Sequence, residues 1–171
     1  HFDRANSTTV SGWTEQLGNW TINSNRLQSE AAGTWQSITV DGSTQANGCI
    51  TARVTYPAGT TTKAAGLLAR YVSQSVYIMA KLQDNSPSGY FDSYFIYSNG
   101  SIIAYGTGLN FGTDAIIQLT FAGTSVTFKV DTNRDGTFDF TYSATVTNTD
   151  LGLCGAYAYQ QCYIDDWCYE T

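Results

Sequence analysis

The sequence contains a single histidine, His1, and none within the chain. Serine and cysteine hydrolases activate their nucleophile with a neighbouring base that is nearly always histidine, so this type of catalysis is excluded. The four cysteines include no Cys-x-x-Cys pair. Because structural zinc is held by clustered cysteine and histidine, a zinc site is not expected either.

Charge is also scarce, since Asp, Glu, Lys and Arg make up 13% of the residues. Eight basic residues face fourteen acidic ones, which gives a net charge of −6. Nucleic acids and anionic membrane surfaces are bound by basic faces, so neither is expected as a partner. No apolar stretch approaches the roughly 20 residues that a membrane-spanning helix needs. We therefore expect a soluble protein.

Aromatic residues, glycine, serine and threonine are abundant: the chain has 12 Tyr, 8 Phe, 4 Trp and 16 Gly. Aromatic and β-branched side chains suit pleated strands. About a dozen short segments alternate between apolar and polar residues, among them Cys49–Tyr56, and Asn99-Gly100 is a strong two-residue hairpin signal. No linker or repeat divides the chain. The sequence therefore predicts one all-β domain over residues 1–171, an antiparallel two-sheet sandwich.

The segment from Cys162 to Glu170 is predicted to be a strand with an architectural role. It carries two of the four cysteines, the adjacent acids Asp165 and Asp166, and Trp167. We expect it to pair with the strand around Cys49 and with an N-terminal strand at Phe2-Asp3-Arg4. Because side chains alternate along a strand, Asp165 and Asp166 are expected on opposite faces. That placement excludes a catalytic carboxylate pair.

Four cysteines in an acidic, lysine-poor chain indicate an oxidising compartment and therefore a secreted protein. Four cysteines allow three pairings. Of these we favour Cys154–Cys162 as a hairpin link and Cys49–Cys168 as a long-range link. Each disulfide would contribute about 2–4 kcal/mol, mainly by restricting the unfolded chain.

An ordered series of strand motifs resembles a known family. The motifs are Phe2-Asp3-Arg4, Gly18–Ile22, Arg26-Leu27, Ile50–Val54, Gly66–Tyr71, Tyr77–Leu82 and Ile164–Trp167. The series looks like a laminin-G-like domain and, more broadly, the concanavalin-A-like lectin/glucanase jelly rolls of secreted proteins. The resemblance spans nearly the whole chain. It implies a jelly roll, and its members are mostly carbohydrate-binding modules, adhesins and lectin-like appendages, with hydrolases and lyases among their relatives.

Two places are candidate calcium sites. In the first, Asp131, Asn133 and Asp135 offer oxygen ligands at alternate positions before Gly136, as in the first half of an EF-hand-type loop. The distal glutamate of such a loop is missing, and the alternative is a polar hairpin turn.

The second candidate is implied by the resemblance, because such jelly rolls often hold a structural calcium where the first and last strands meet. Here Asp3 would act with Asp165 or Asp166, and Asp166 is favoured because Asp165 is expected to share a face with Trp167. The alternative is that one of these aspartates pairs with Arg4 or Arg53.

A candidate ligand face lies on the middle strands. Read with period two, its residues are Arg70, Tyr77, Lys81, Tyr97 and Tyr105, and Tyr90 in the loop 86–91 forms a second rim. Aromatic rings of this kind stack on the apolar faces of sugars, and Arg70 and Lys81 suit a carboxylated or sulfated sugar. The alternative is an ordinary tyrosine-rich sheet surface, since a one-residue register error reverses the face.

We therefore expect a non-catalytic module that binds a polysaccharide or other glycan, acts as a monomer, and is stabilised by calcium and disulfides. A glycoside hydrolase or polysaccharide lyase of the same fold is the first alternative, and an adhesin or structural appendage is the second. The alternating acids of glucanases with this fold are absent from the sequence. A lyase would have to use Tyr77 or Tyr97 as its base, with Arg70 and Lys81 neutralising a uronate.

Overall fold

The computed structural model describes residues 6–30, 33–57 and 62–171, and their regular elements are all β-strands. In chain order the strands are β1 (Trp13–Leu17), β2 (Trp20–Asn23), β3 (Arg26–Ser29), β4 (Trp35–Val40), β5 (Gly48–Thr55), β6 (Ala64–Ser73), β7 (Val76–Gln83), β8 (Ser93–Ser98), β9 (Ser101–Gly106), β10 (Asp114–Ala122), β11 (Ser125–Asp131), β12 (Phe140–Thr145), β13 (Leu153–Tyr159) and β14 (Tyr163–Glu170). These ranges include no helix with the length and apolar character needed to cross a membrane.

The strands form two antiparallel sheets of seven strands each. Sheet 1 has the order β1-β4-β13-β6-β7-β8-β9, and sheet 2 has the order β12-β11-β10-β5-β14-β3-β2. The predicted all-β, two-sheet sandwich is confirmed.

The main core fills the space between the two sheets. In β5 the buried residues Ile50, Ala52 and Val54 alternate with partly exposed neighbours, and in β10 Ile117 and Leu119 do the same. Each fully buried large apolar side chain stabilises the fold by about 1.5–3 kcal/mol. The alternation in the sequence therefore determines which face of each strand points inward.

Two-residue turns connect the tightest hairpins. Ser24 and Asn25, between β2 and β3, have φ values of 51° and 61°, and Asn99 and Gly100, between β8 and β9, have values of 50° and 77°. Positive φ at both central residues is the conformation that matches the right-handed twist of paired strands. The turn at Asn99-Gly100 was predicted from its residue types.

The last strand, β14, pairs with β5 as predicted and has β3 as its second neighbour. The expected partner Phe2-Asp3-Arg4 lies outside the described residues. The Trp167 ring packs edge-on against that of Trp13, with ring centres 4.9 Å apart. Since Trp13 belongs to β1 of the opposite sheet, this contact joins the two layers.

A bulge interrupts β14 at Asp166, whose φ is +48°. The register with β5 shifts between Asp165 and Cys168, and the buried residues Ile164 and Trp167 are three positions apart rather than two. The regular alternation that was expected to place Asp165 and Trp167 on one face is therefore broken.

All four cysteines are free thiols. Cys154 lies near the start of β13, whereas the thiol of Cys162 is hydrogen-bonded to the backbone of Ala64, which pairs with Tyr159 at the end of β13. At about 3.3 Å per residue, these two cysteines are separated by roughly 15 Å. A disulfide needs Cα atoms within about 7 Å, so the predicted Cys154–Cys162 link is wrong.

Candidate functional site

A cleft of about 330 Å³ opens on the outer face of sheet 1, on the side away from the main core. Its lining residues come from β1, β4, β6, β7, β8 and β13 and from two hairpin turns: Leu17, Trp35, Gln36, Ser37, Leu68, Tyr71, Gln74, Tyr77, Met79, Tyr97, Gly100 and Tyr157. Its volume lies in the range of small-molecule binding sites, which combine apolar walls with a few polar groups.

Strand alternation explains why this outer face is aromatic. In β13 the side chains of Ala156 and Ala158 join the main core, which turns Tyr157 and Tyr159 outward. In β7 Ile78 and Ala80 point into the core and Met79 points out. Where a solvated sheet face would usually be polar, these outward residues pack with Leu68 and Tyr71 into a second buried cluster.

Trp35 is the most exposed aromatic residue of the cleft, with 47% of its surface accessible. Its ring is tilted against Tyr157 at 5.4 Å and against Tyr159 at 4.8 Å between ring centres. We call the surface formed by Trp35, Tyr77, Tyr97, Tyr157 and Tyr159 the aromatic face.

A row of directly paired residues crosses the middle of this face. Tyr157 pairs with Gly66, Gly66 with Lys81, and Lys81 with Phe95. A Cβ atom at Gly66 would lie 2.4 Å from the carbonyl oxygen of Ala80 and 2.6 Å from Cβ of Lys81. Since no real side chain tolerates such contacts, only glycine fits between Tyr157 and Lys81.

Lys81 is fully buried beneath the aromatic face. Its Nζ atom lies 4.3 Å from the ring centre of Trp35, 5.1 Å from Phe95, 5.3 Å from Tyr97 and 5.5 Å from Tyr157. The ammonium donates one hydrogen bond, to Oε1 of Gln83 at 2.7 Å. Removal from water disfavours the charged form and lowers the pKa of Lys81 to about 7.

Three tyrosines of the aromatic face, Tyr77, Tyr97 and Tyr157, stay neutral near physiological pH. Burial raises the pKa of Tyr77, Tyr97 and Tyr157 above the ordinary value of 10.0. Among the described residues that line the cleft, none is Asp, Glu or His. The site therefore offers ring faces, neutral hydroxyl groups and amides, and it lacks a paired acid and base in that part of the chain.

The structure brings together several of the predicted ligand residues. Tyr77 and Tyr97 line the cleft, and Lys81 lies under it. Tyr105, 64% exposed on the edge strand β9, stacks on Phe95 with ring centres 6.0 Å apart and so continues the aromatic surface beside the cleft. Tyr90 is partly buried in the loop between β7 and β8, and the cleft lining does not include it.

The placement of Arg70 on this face is wrong. Arg70 is 1% exposed, and its guanidinium donates hydrogen bonds to the main-chain oxygens of Ala46, Gly123 and Asn148. Its φ is +49°, and the register of β6 with β7 shifts between Ala69 and Ser73. The bulge turns Arg70 away from the face that carries Leu68, where an unbroken strand would have placed it.

Sequence reasoning missed the contribution of β4 and β13. Trp35, Tyr157 and Tyr159 form one flank of the aromatic face, yet β13 follows β4 by more than a hundred residues. The alternation of Tyr157 and Tyr159 with buried alanines was a usable signal. That β13 lies between β4 and β6 is a fact of topology that no local pattern contains.

The first calcium candidate is the connection between β11 and β12. Asp131 is buried, and its carboxylate accepts hydrogen bonds from the backbone N–H of Arg134 at 2.6 Å and of Gly136 at 3.0 Å. Asn133 Oδ1 accepts the N–H of Asp135 at 2.9 Å. The loop thus has the hairpin connection that was the alternative prediction. Within residues 6–30, 33–57 and 62–171, no group of three or more His, Cys, Asp or Glu residues is placed to share a metal ion.

The second calcium candidate involves Asp3, which lies outside the described residues. Its other members, Asp165 and Asp166, follow the core residue Ile164 on β14, and Asp166 is exposed. Arg53, considered as their partner, is the β5 residue paired with Asp165, and it also forms a two-pronged ion pair with Asp114, with N–O distances of 2.8 and 2.5 Å.

No known family profile matches the sequence, and no curated protein sequence matches it. Solved structures are similar in fold over almost the whole chain. The carbohydrate-binding module CBM66 from Bacillus subtilis has a TM-score of 0.74 and 17% identity, covering 94% of this chain and 96% of that chain. The chain has the same two-sheet jelly-roll fold as this module.

Two further similarities support that assignment of the fold. The CBM2 module of the evolved Dit of Lactobacillus casei BL23 phage J-1 has a TM-score of 0.65 and 16% identity, covering 98% of this chain and 91% of that one. The exoplasmic/lumenal domain of VIP36, in its Ca²⁺/Man-bound form, has a TM-score of 0.64 and 11% identity, with coverages of 94% and 83%. The jelly-roll fold that the resemblance implied is therefore confirmed.

Proposed function

We propose that this protein is a non-catalytic carbohydrate-binding module that holds a polysaccharide or other glycan on the aromatic face of sheet 1. The observation that carries the proposal is the exposed ring of Trp35 at the rim of a 330 Å³ cleft whose other walls include Tyr77, Tyr97 and Tyr157. Sugar rings present apolar C–H faces that stack on aromatic side chains, while their hydroxyl groups need nearby polar partners.

The polar groups of the cleft suit that ligand. Ser37, Gln36 and Gln74 lie among the aromatic residues, and tyrosine hydroxyl groups both donate and accept hydrogen bonds. Two solved structures of the same fold are named carbohydrate-binding modules, and the VIP36 domain is described with mannose-type ligands bound. Fold alone does not specify function, but it agrees here with the chemistry of the cleft.

Binding is favoured over catalysis by the state of the ionisable groups. A lyase of this fold would need a tyrosinate or another base at the cleft, and burial raises the pKa of Tyr77 and Tyr97. Its second requirement, an accessible cation to neutralise a uronate, is not met by Arg70 or Lys81, which are both buried. The cleft is therefore better suited to hold a sugar than to cleave one.

A glycan array followed by affinity electrophoresis in polysaccharide gels tests the proposal. We expect retention of the wild-type protein by at least one polysaccharide, and loss of that retention in Trp35→Ala without change in melting temperature. Tyr169→Ala is the matched control, because Tyr169 is 37% exposed and belongs to sheet 2.

Three outcomes would count against this function. Release of reducing ends or of unsaturated, ultraviolet-absorbing ends from the retained polysaccharide would indicate an enzyme. Retention by no glycan, together with capture of a protein ligand, would indicate an adhesin. Equal retention of Trp35→Ala and the wild type would place the glycan site away from the aromatic face.

The proposal extends to the setting of the domain. We propose a secreted, monomeric module whose loop from Asp131 to Asp139 binds calcium. Support comes from the hydrogen bond of Gly136 N–H to Asp131, which holds this carboxylate in the loop as the sixth residue of an EF-hand-type loop does for the first. Asn133 and Asp135 would be the other side-chain ligands, and the ion would join the ends of β11 and β12.

A further inference from the structure

We propose that Lys81 is the positioning residue of the aromatic face: its ammonium group fixes the ring of Trp35, so that glycan binding weakens when the lysine loses its proton. This inference rests on the proposed function, because the binding it concerns is that of the aromatic face. Lys81 is a buried cation, and within the described part of the chain it forms no ion pair. The inference gives this cation a role that needs no contact with the sugar.

Four aromatic rings surround the Nζ atom of Lys81. The four rings within 5.5 Å of this atom come from three strands on both sides of β7: Trp35 from β4, Tyr157 from β13, and Phe95 and Tyr97 from β8. Trp35 is the nearest, at 4.3 Å. The lysine therefore contacts both flanks of the cleft floor from a single central position.

The contacts between Lys81 and these rings depend on the charge of the ammonium group. An ammonium carries three protons, and the one described hydrogen bond of Lys81 uses only one of them, toward Gln83. The π faces of the rings attract a cation and not a neutral amine, and the attraction is strongest where water is excluded, as it is here. Deprotonation therefore removes the attraction while leaving the packing of the alkyl chain in place.

Trp35 is the exposed ring among the contacts of Lys81. This side chain is 47% exposed, and its remaining ring contacts are tilted ones with Tyr157 and Tyr159. An exposed ring that must lie flat against a sugar loses conformational freedom on binding, and fixing it beforehand reduces that cost. The charge of Lys81 thus contributes to affinity without any contact between lysine and glycan.

The loss of the Lys81 proton determines the pH at which glycan binding weakens. The titratable groups on the face around Lys81 are all tyrosines: Tyr97 on β8, Tyr157 and Tyr159 on β13, Tyr71 on β6 and Tyr77 on its own strand. Its contacts with β4 and β6 at mid-face are Trp35 and Gly66, which do not titrate. Phenols do not ionise near neutral pH, least of all when buried. Burial lowers the pKa of Lys81 to about 7, so its proton is the one that leaves between pH 6 and pH 8.

The decisive experiment measures glycan affinity by calorimetry at several pH values from 5.5 to 8.5, using a polysaccharide retained in the array. We expect wild-type affinity to fall about tenfold across this interval, the size of one desolvated cation–π contact. Lys81→Met, which keeps the length and apolar packing of the side chain, should bind at every pH as the wild type does at pH 8.5. Wild-type affinity that does not vary with pH, or unchanged pH dependence in Lys81→Met, would overturn the inference.

A second measurement needs no glycan and separates this inference from the proposed function. The fluorescence of Trp35, obtained as the difference between wild type and Trp35→Phe, should change with a midpoint near pH 7, and Lys81→Met should abolish the change. Absence of a transition in the wild type overturns the inference even if Lys81→Met fails to fold. A clear transition in a protein that binds no glycan would instead overturn the proposed function, and the binding role of Lys81 with it.

Discussion

The guanidinium of Arg70 donates a hydrogen bond from Nε to the main-chain carbonyl oxygen of Ala46, at 2.8 Å. The same group reaches the carbonyl oxygens of Gly123 and Asn148, so one side chain of β6 connects the loop before β5, the turn after β10 and the loop before β13. A buried charge is tolerated only where such partners satisfy it. Arg70 therefore stabilises one end of the sandwich and does not reach the ligand face.

Replacing Arg70 by Ala is expected to lower the free energy of unfolding by about 3–5 kcal/mol, because three buried carbonyl oxygens lose a charged donor. Urea denaturation measures the change. Arg134→Ala is the control, because Arg134 is exposed and its substitution should cost under about 0.5 kcal/mol. Loss of glycan retention in an Arg70 variant of unchanged stability would show that this residue belongs to the ligand site.

Tyr77→Ala is expected to weaken retention on a polysaccharide gel about tenfold, since the variant loses one stacking surface of the cleft. The melting temperature should change little, because Tyr77 is only half-buried. Tyr142→Ala, at an exposed tyrosine on the edge strand β12, serves as control. If Tyr77→Ala unfolds the domain, this tyrosine belongs to the packing and the extent of the ligand face has been misjudged.

Stability is expected to rise with pH between pH 7 and pH 9. The pKa of Lys81 is about 7 in the folded protein and 10.5 in the unfolded chain, so in this interval the unfolded chain binds a proton that the folded one does not. The gain should reach about 2 kcal/mol at pH 9, at about 1.4 kcal/mol for each pH unit.

Lys81→Met should be more stable than the wild type at pH 6 and should lose this dependence. Above pH 9 the two buried thiols act in the opposite direction, because burial raises the pKa of Cys154 and Cys162 to about 12, from 9.0. Chemical denaturation at a series of pH values gives both curves. A wild-type stability that falls from pH 7 to pH 9 would show that the buried lysine is not deprotonated.

The four thiols are expected to react in two classes. Cys168 is exposed and Cys49 partly so, whereas Cys154 and Cys162 are buried. A colorimetric thiol reagent should therefore modify Cys168 first and the two buried thiols only after denaturation. Rapid modification of all four in the native protein would contradict the described burial.

Cys49 and Cys168 are proposed to join under oxidising conditions. Cys168 pairs with Thr51, and Cys49 pairs with Glu170, which makes the two cysteines diagonal neighbours on β5 and β14. Oxidised glutathione should take up their two hydrogens, leaving a protein lighter by about 2 Da with two fewer thiols and a higher melting temperature. Cys168→Ser is the control, and a mixed disulfide with glutathione at either cysteine would argue against the link.

Calcium at millimolar concentration is expected to raise the melting temperature by several degrees, since a ligand that binds only the folded state stabilises it. Asp135→Ala should abolish the shift without unfolding the domain, because Asp135 is exposed. Asp131 is less suitable for this test, since its buried carboxylate holds the loop together. Asp150→Ala is the control, and the absence of any shift in the wild type would leave the loop a simple hairpin turn.

The fold was largely predictable because its determinants are local. Alternation of apolar and polar residues identifies strands such as β5 and β10. Turn residues such as Asn99-Gly100 identify where the chain reverses. The ligand face was predicted only in part, because two of its strands are distant in sequence. Tyr77 and Tyr97 lie on consecutive hairpin strands, whereas Trp35 and Tyr157 meet only after β13 enters the sheet.

The two errors of side-chain direction, at Arg70 and near Asp166, have one physical cause. Both residues have positive φ and lie where the strand register shifts. β14 has one extra residue relative to β5, and β6 has one extra relative to β13 and two relative to β7. After a one-residue bulge, the following side chains point to the opposite faces from those that regular alternation predicts. A glycine would indicate such a bulge in the sequence, but arginine and aspartate do not. Period-two reading is therefore reliable within a regular strand and fails beyond an unrecognised bulge.

The position of the last two strands has a consequence for how the chain folds. β13 is inserted between β4 and β6, and β14 between β5 and β3, so both sheets stay divided into separate halves until residues 153–170 arrive. Before that step, the two halves of each sheet are not joined by hydrogen bonds. Topologies dominated by such distant pairings fold slowly. Because a chain is made from its N-terminus, β13 and β14 emerge after the other described strands and complete both sheets at once.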